Sequence, residues 1–168
     1  MNTLTTLIDA EEILSLKIGE MIYVSGDIFC GRDMVLPKIV KMSENGECEK
    51  NGITLSGGVI FHTAVSVAGI GPTSSNKAEI ESSIVPLSKA GVRIHIGKGR
   101  LMDSTIKGIN QYGSVYAIVP PVTALLDKTV KSKKVVCFPE LGMEAFHQLT
   151  VDNMPIIIAA ANGRSIYE

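Results

Sequence analysis

Gly69-Ile-Gly-Pro-Thr-Ser-Ser-Asn-Lys77, then Ala78 to Ala90, then Val92-Arg-Ile-His-Ile-Gly-Lys-Gly99 is the stretch whose reading decides the fold. The first part reads as a glycine-rich loop. The second reads as a helix, with Asn76 and Glu79 at capping-box spacing and Gly91 as its stop. The third is a strand, Val92 to Ile96, that runs into a Gly-Lys-Gly turn. Loop, helix, strand and turn in that order form one unit of an alternating architecture, and the flanking sequence repeats it.

Upstream, Val59-Ile-Phe-His62 and Val65-Ser-Val-Ala68 read as strands. Downstream come a helix from Asp103 to Tyr112 closed by Gly113, a strand from Val115 to Val119, and a short helix near Val122–Leu126. Next are a strand at Val135-Val-Cys-Phe138, a helix at Met143–Leu149 and a strand at Pro155-Ile-Ile-Ile-Ala159. Asn162-Gly163 then turns the chain towards Ser165. Near the start, Asp9 and Glu12 open a helix that Gly19 stops, and Met21-Ile-Tyr-Val24 reads as a strand. Ser25 to Asp33 reads as a turn-rich loop. A helix follows to about Met42, with Pro37 in its first turn. Glu44 to Gly52, with two Asn-Gly pairs, reads as surface loop or hairpin. Strands separated by helices of about ten residues predict an α/β domain with a largely parallel central sheet flanked by helices. There is no internal repeat or linker, so residues 1–168 are expected to form a single domain.

The bulk numbers exclude several functions. A formal net charge of -1 over 168 residues argues against non-specific nucleic-acid binding and against an anionic membrane surface. Ile156 to Ala161 is far too short for a membrane span, and the N-terminus has no basic segment followed by an apolar run. Cys30, Cys48 and Cys137 are scattered and odd in number, which fits a reducing cytoplasm rather than a disulfide framework. With no Cys-x-x-Cys pair, a metal or cluster site built by this chain alone is not expected. His62 and His95 are read as structural residues in strands, and His147 as one in a helix. Lys131-Ser-Lys-Lys134 reads as a solvated turn.

Ligands of open α/β sheets gather beyond the carboxyl ends of the strands. In Gly69 to Lys77, Gly71 and its small neighbours expose backbone N–H groups at a helix N-terminus. The hydroxyls of Thr73, Ser74 and Ser75 cluster there, and Lys77 stands at the helix entry. Such a terminus suits an anion. Lys98, between two glycines, and Arg32 of Arg32-Asp33 add two cations, and arginine can grip a carboxylate with parallel hydrogen bonds. Three cations around one pocket would suit a dicarboxylate, each charge-assisted bond being worth about 1.5–3 kcal/mol. The plain alternative is a glycine-rich turn of the kind common in α/β proteins.

Gly71-Pro-Thr-Ser-Ser-Asn-Lys77, Ala90-Gly-Val, Ile96-Gly-Lys-Gly-Arg100 and Glu140-Leu-Gly-Met-Glu-Ala145 resemble the β subunit of class I fumarases and L-tartrate dehydratases. So do Leu16-Lys-Ile-Gly-Glu20, Arg32-Asp33, Leu149 to Ile158 and Ser165-Ile-Tyr-Glu168. The resemblance spans essentially the whole chain in the right order. It implies a swivelling β/β/α fold and a partner α subunit that carries a [4Fe–4S] cluster, with the active site between the two and αβ pairs assembling further. It implies reversible dehydration of a 2-hydroxy dicarboxylate, malate to fumarate or tartrate to oxaloacetate. Position by position, it casts Thr73 at proton transfer, Lys98 as the lysine of the family's Gly-Lys-Gly, and Arg32, Lys77, Gly71 and Ser74 at the substrate.

Two departures stand out. Lys77-Ala-Glu79 replaces the family's Arg-Met-Asp, and the family's Arg-Asp-x-x-His ends here in Leu36. They motivate an alternative, a weakened paralogue that acts as a binding or assembly subunit. A stand-alone phosphate-binding module is the remaining rival.

Overall fold

The fold is that of a computed structural model, which describes residues 2–66, 69–73, 77–120 and 123–168, with side chains described except at 69, 71–73, 77–80, 123 and 124. Strand β1 (Thr3–Thr5) and helix α1 (Ala10–Leu14) lead into β2 (Met21–Cys30). The capping box at α1 forms, with the Asp9 N–H donating to the Glu12 carboxylate at 3.2 Å. Helix α2 (Leu36–Glu44) carries Pro37 in its first turn, where the missing N–H leaves no helical bond unmade. Strand β3 (Val59–Phe61) and a hairpin of β4 (Thr63–Ser66) and β5 (Gly69–Thr73) precede α3 (Lys77–Lys89). Then follow β6 (Ile94–Gly97), α4 (Asp103–Gln111), β7 (Val115–Ile118) and α5 (Thr123–Thr129). The last strands are β8 (Val130–Cys137), β9 (Phe146–Ala161) and β10 (Arg164–Ser165).

Strands β2, β3, β6 and β7 run parallel to one another in that order. Strand β9 then pairs antiparallel with β7 on one side and with β2 on the other, so five strands close a barrel. The sheet is therefore mixed rather than largely parallel, and the reason is β9. At 16 residues it is long enough to pair with β2 along its length and to receive β7, β8 and β10 as well. Closure hides the two edges that an open parallel sheet would leave exposed.

Inside the barrel, Ile22, Val24, Ile28, Val59, Phe61, Ile94, Ile96, Val115, Ile156 and Ile158 form one buried cluster, as alternation along each strand requires. On the outer face, Phe29, Ile60 and Phe146 pack with Leu36 and Ile39 of α2 and Leu87 of α3, with the rings of Phe29 and Phe146 stacked 5.0 Å apart. Ile84 of α3, Ile106 and Ile109 of α4 and Tyr116 of β7 form a third cluster.

Several expectations are corrected by pairing. Ser25 to Cys30 is the second half of β2, with a bulge between Val24 and Gly26, and is not a loop. Gly69 to Thr73 is a strand of the β4–β5 hairpin. Met143–Leu149 is not a helix: a 3₁₀ turn (Pro139–Glu144) ends there and β9 begins, so His147 lies in a strand. Lys131 to Lys134 lies in β8, an edge strand, where exposed lysines blunt unpaired backbone. Asn76, Val67 and Ala68 fall outside the described residues. Among the described residues no helix is long and apolar enough to cross a membrane.

Candidate functional site

Three parallel strands end side by side. The Gly31 N–H donates to the Phe61 carbonyl at 3.1 Å, and the His62 N–H donates to the Ile96 carbonyl at 2.8 Å. The residues that leave the carboxyl ends of β2, β3 and β6 are thus level with one another: Arg32, Thr63 and Lys98. Neighbouring strands lie about 4.8 Å apart, so Arg32 and Lys98 start from points two strands apart on one edge. Thr63 opens the hairpin and pairs with Thr73, which brings the Thr73 backbone to the same edge 10 positions later in sequence. Gly71 lies within the same strand, and Lys77 opens α3 just beyond. Ser74 lies outside the described residues, as do the side chains of Thr73 and Lys77.

The turn that carries Lys98 is held tightly. A Cβ at Gly97 would sit 2.9 Å from the Tyr116 hydroxyl and 3.0 Å from its ring, and Gly99 has φ +80°. Neither position accepts a side chain without strain. The Tyr116 hydroxyl donates to the Gly99 carbonyl at 3.1 Å, so one buried ring both packs under the turn and pins it. Burial holds the Tyr116 phenol protonated, its pKa raised by desolvation first and by Tyr167 and Glu81 after that. Lys98 itself is exposed.

Arg32 stands differently. Its carbonyl accepts the N–H groups of Val35 and Leu36 and so starts α2, while its guanidinium forms an ion pair with Glu144 of the 3₁₀ turn. The second Glu144 oxygen is buried without a hydrogen-bond partner among the described residues. Sequence reading placed Arg32 at the site but missed Glu144, which is 112 residues away in the chain. Its one sequence signal was its place in the Glu140 to Ala145 motif. Tyr116 had none, since it reads as an ordinary strand residue. Leu36, the first residue of α2, is fully buried and belongs to the core.

The cysteines do not form a ligand set. Cys30 is sealed inside the barrel, where burial pushes its thiol far up, and Cys48 is raised by burial first and then by Cys137 and Glu47. Among the described residues no three His, Cys, Asp or Glu side chains come together as a metal site.

Set against known proteins, residues 2–168 match the model of the Fumarase C-terminus family. The chain is 32% identical over 173 residues to the "Putative L(+)-tartrate dehydratase subunit beta" of Methanocaldococcus jannaschii, covering 94% of this chain and 87% of that protein. It is 28% identical over 151 residues to the L(+)-tartrate dehydratase subunit beta of Escherichia coli strain K12, covering 83% and 72%. It is 25% identical over 167 residues to Fumarate hydratase 2 of Leishmania major, covering 94% of this chain and 29% of that longer protein.

Proposed function

The chain belongs to the Fumarase C-terminus family, and from that membership we propose that it is the β subunit of a heteromeric hydro-lyase that reversibly removes water from a 2-hydroxy dicarboxylate. On this reading the barrel and its helices are the swivelling β/β/α domain of the family, and the whole of residues 1–168 is one such domain. It works in the cytoplasm, bound to an α subunit and assembled into further αβ pairs. The observation that carries the reading is the common level at which β2, β3 and β6 release Arg32, the Thr63–Thr73 hairpin and Lys98.

The chemistry divides between two chains. Dehydration breaks a C–O bond and removes a proton from the neighbouring carbon. A [4Fe–4S] cluster, held by the α subunit, would supply Lewis-acid polarisation of the departing hydroxyl. Cys30, Cys48 and Cys137 do not fit as ligands of such a cluster, and no step of this chain is routed through it. What this chain contributes is charge and position. Lys98, on its pinned turn, holds one carboxylate and stabilises the negative charge that builds on it as the proton leaves. Arg32 and Lys77 hold the other carboxylate, Gly71 and Ser74 line the bound substrate, and the Thr73 hydroxyl takes part in proton transfer. A hydroxyl does this only when a carboxylate relays its proton, and that carboxylate belongs to the partner.

Anaerobic co-expression with the cluster-bearing partner, followed by assays on malate, fumarate and tartrate, tests the proposal. Turnover is expected, and Lys98→Ala is expected to lower kcat/KM by at least about tenfold, the loss of one charge-assisted bond. A second reading has its own support in the structure. Arg32 is already engaged by Glu144, and Leu36 fills core where the family has a polar residue. If the complex with an intact cluster is inert across dicarboxylates, the chain is a binding or assembly subunit instead.

A further inference from the structure

Between the barrel and α3 lies a chain of polar side chains that the mechanism above does not use. The Nε2 atom of His62 lies 3.1 Å from Nδ1 of His95, and Nε2 of His95 lies 2.9 Å from the Ser88 hydroxyl. The exposures of the three residues are 1%, 0% and 1%, so water reaches none of them. Each belongs to, or directly adjoins, an element that delivers a candidate site residue. Ser88 lies in α3, which Lys77 opens; His95 lies in β6, which ends at the Lys98 turn; His62 directly precedes Thr63. The chain therefore climbs from near the end of α3, through the second residue of β6, to the level at which the strands release Arg32 and Lys98. Its upper end is open: Nδ1 of His62 is buried with no hydrogen-bond partner among the described residues.

Buried polar groups are retained when each satisfies the next, and a chain of them has a direction. If the Ser88 hydroxyl donates to His95 Nε2, then His95 must carry its proton on Nδ1 and donate to His62 Nε2. His62 in turn must carry its proton on Nδ1, which makes the open end a donor. Run the other way, the open end is a lone pair, which would repel an anion at that edge. Desolvation keeps both rings uncharged, His62 down to about 3, so each ring has one proton and the choice is between two tautomers.

Resting on the functional reading above, we propose that His62 is a positioning residue of the anion site, held by His95 and Ser88 in a hydrogen-bonded chain whose donors all point towards the strand edge that carries Arg32 and Lys98. The chain fixes the Thr63 and Lys98 turns against α3 and presents an N–H, not a lone pair, to the side where the carboxylates bind.

Long-range ¹⁵N–¹H correlation spectra of the full chain read the ring protons directly. Both His62 and His95 are expected as Nδ1–H tautomers, the reverse of the form that a free histidine side chain prefers. Ser88→Ala is expected to return His95 to the Nε2–H form, to keep the fold by circular dichroism, and to weaken tartrate or malate binding by the αβ complex about tenfold. Nε2–H tautomers in the wild-type chain, or a Ser88→Ala protein with wild-type tautomers and affinity, would overturn the proposal. If the wild-type complex binds no dicarboxylate while the rings are Nδ1–H, the functional reading fails and the directed chain stands, so the two failures are told apart.

Discussion

Tyr116 holds the Gly97-Lys98-Gly99 turn from beneath with its ring and its hydroxyl at once. The two contributions can be separated. Tyr116→Phe keeps the packing under Gly97 and removes only the bond to the Gly99 carbonyl, so a loss of about 0.5–1.5 kcal/mol of stability is expected. Thermal or urea unfolding measures that loss, and a matching rise in KM for the dicarboxylate would show that the turn positions Lys98. Unchanged KM with lowered stability would assign Tyr116 to the fold alone. At this scale the sequence showed the cations and not their keepers. Arg32 and Lys98 announce themselves by charge beside glycine, while Glu144 and Tyr116 acquire their roles only when distant segments meet. His62 and His95 were read as structural strand residues; His95 does lie in β6, but His62 lies between β3 and β4, and the contact between the two rings was not legible.

Among the elements, β9 shows why local pattern misled. Met143 to Leu149 holds good helix formers, Met, Glu, Ala, Gln and Leu, and in isolation they favour a turn of helix. Pairing with β2 and β8 overrides that preference, because strand residues take their stability from neighbours across the sheet rather than from their own propensity. Phe146 is the anchor of this override: fully buried, it stacks on Phe29 of β2. Phe146→Ala is expected to destabilise the fold by about 3–5 kcal/mol, read as a shift of the urea midpoint with little change in slope. A shift smaller than about 1 kcal/mol, below the usual range for such truncations, would mean that β9 is held elsewhere. Helices α3 and α4, by contrast, were legible with near-correct ends. Gly91 and Gly113 stop α3 and α4 through left-handed backbone that their sequence positions foretold.

For the molecule as a whole, His62 and His95 shape the response to acid. Burial lowers the pKa of both below the usual range, so under mild acid the unfolded chain takes up protons that the folded chain refuses. Stability is then full above the unfolded value of about 6.5 and falls as pH drops below it, by about 1.4 kcal/mol per pH unit for each ring. Urea unfolding between pH 7 and pH 4 should show this fall. His95→Gln is expected to be less stable at pH 7 but to lose stability less steeply on acidification. An identical slope in the variant would remove His95 from the account. The alternation of strand and helix was enough to predict an α/β molecule. It could not predict closure, because nothing in a local pattern says that one late strand will serve both ends of the row.

That late strand also dictates when the molecule can be finished during its synthesis. The Asn153 N–H meets the Ser25 hydroxyl 128 residues away, so the edge of β2 has to wait while everything between is translated. At about 5–20 residues per second this is on the order of ten seconds. Until then the nascent polypeptide carries an unclosed row of strands with its interior open to chaperones and proteases. Ribosome-bound chains halted before β9 emerges are expected to be cut readily by protease, and those in which Ala161 has cleared the exit tunnel to resist it.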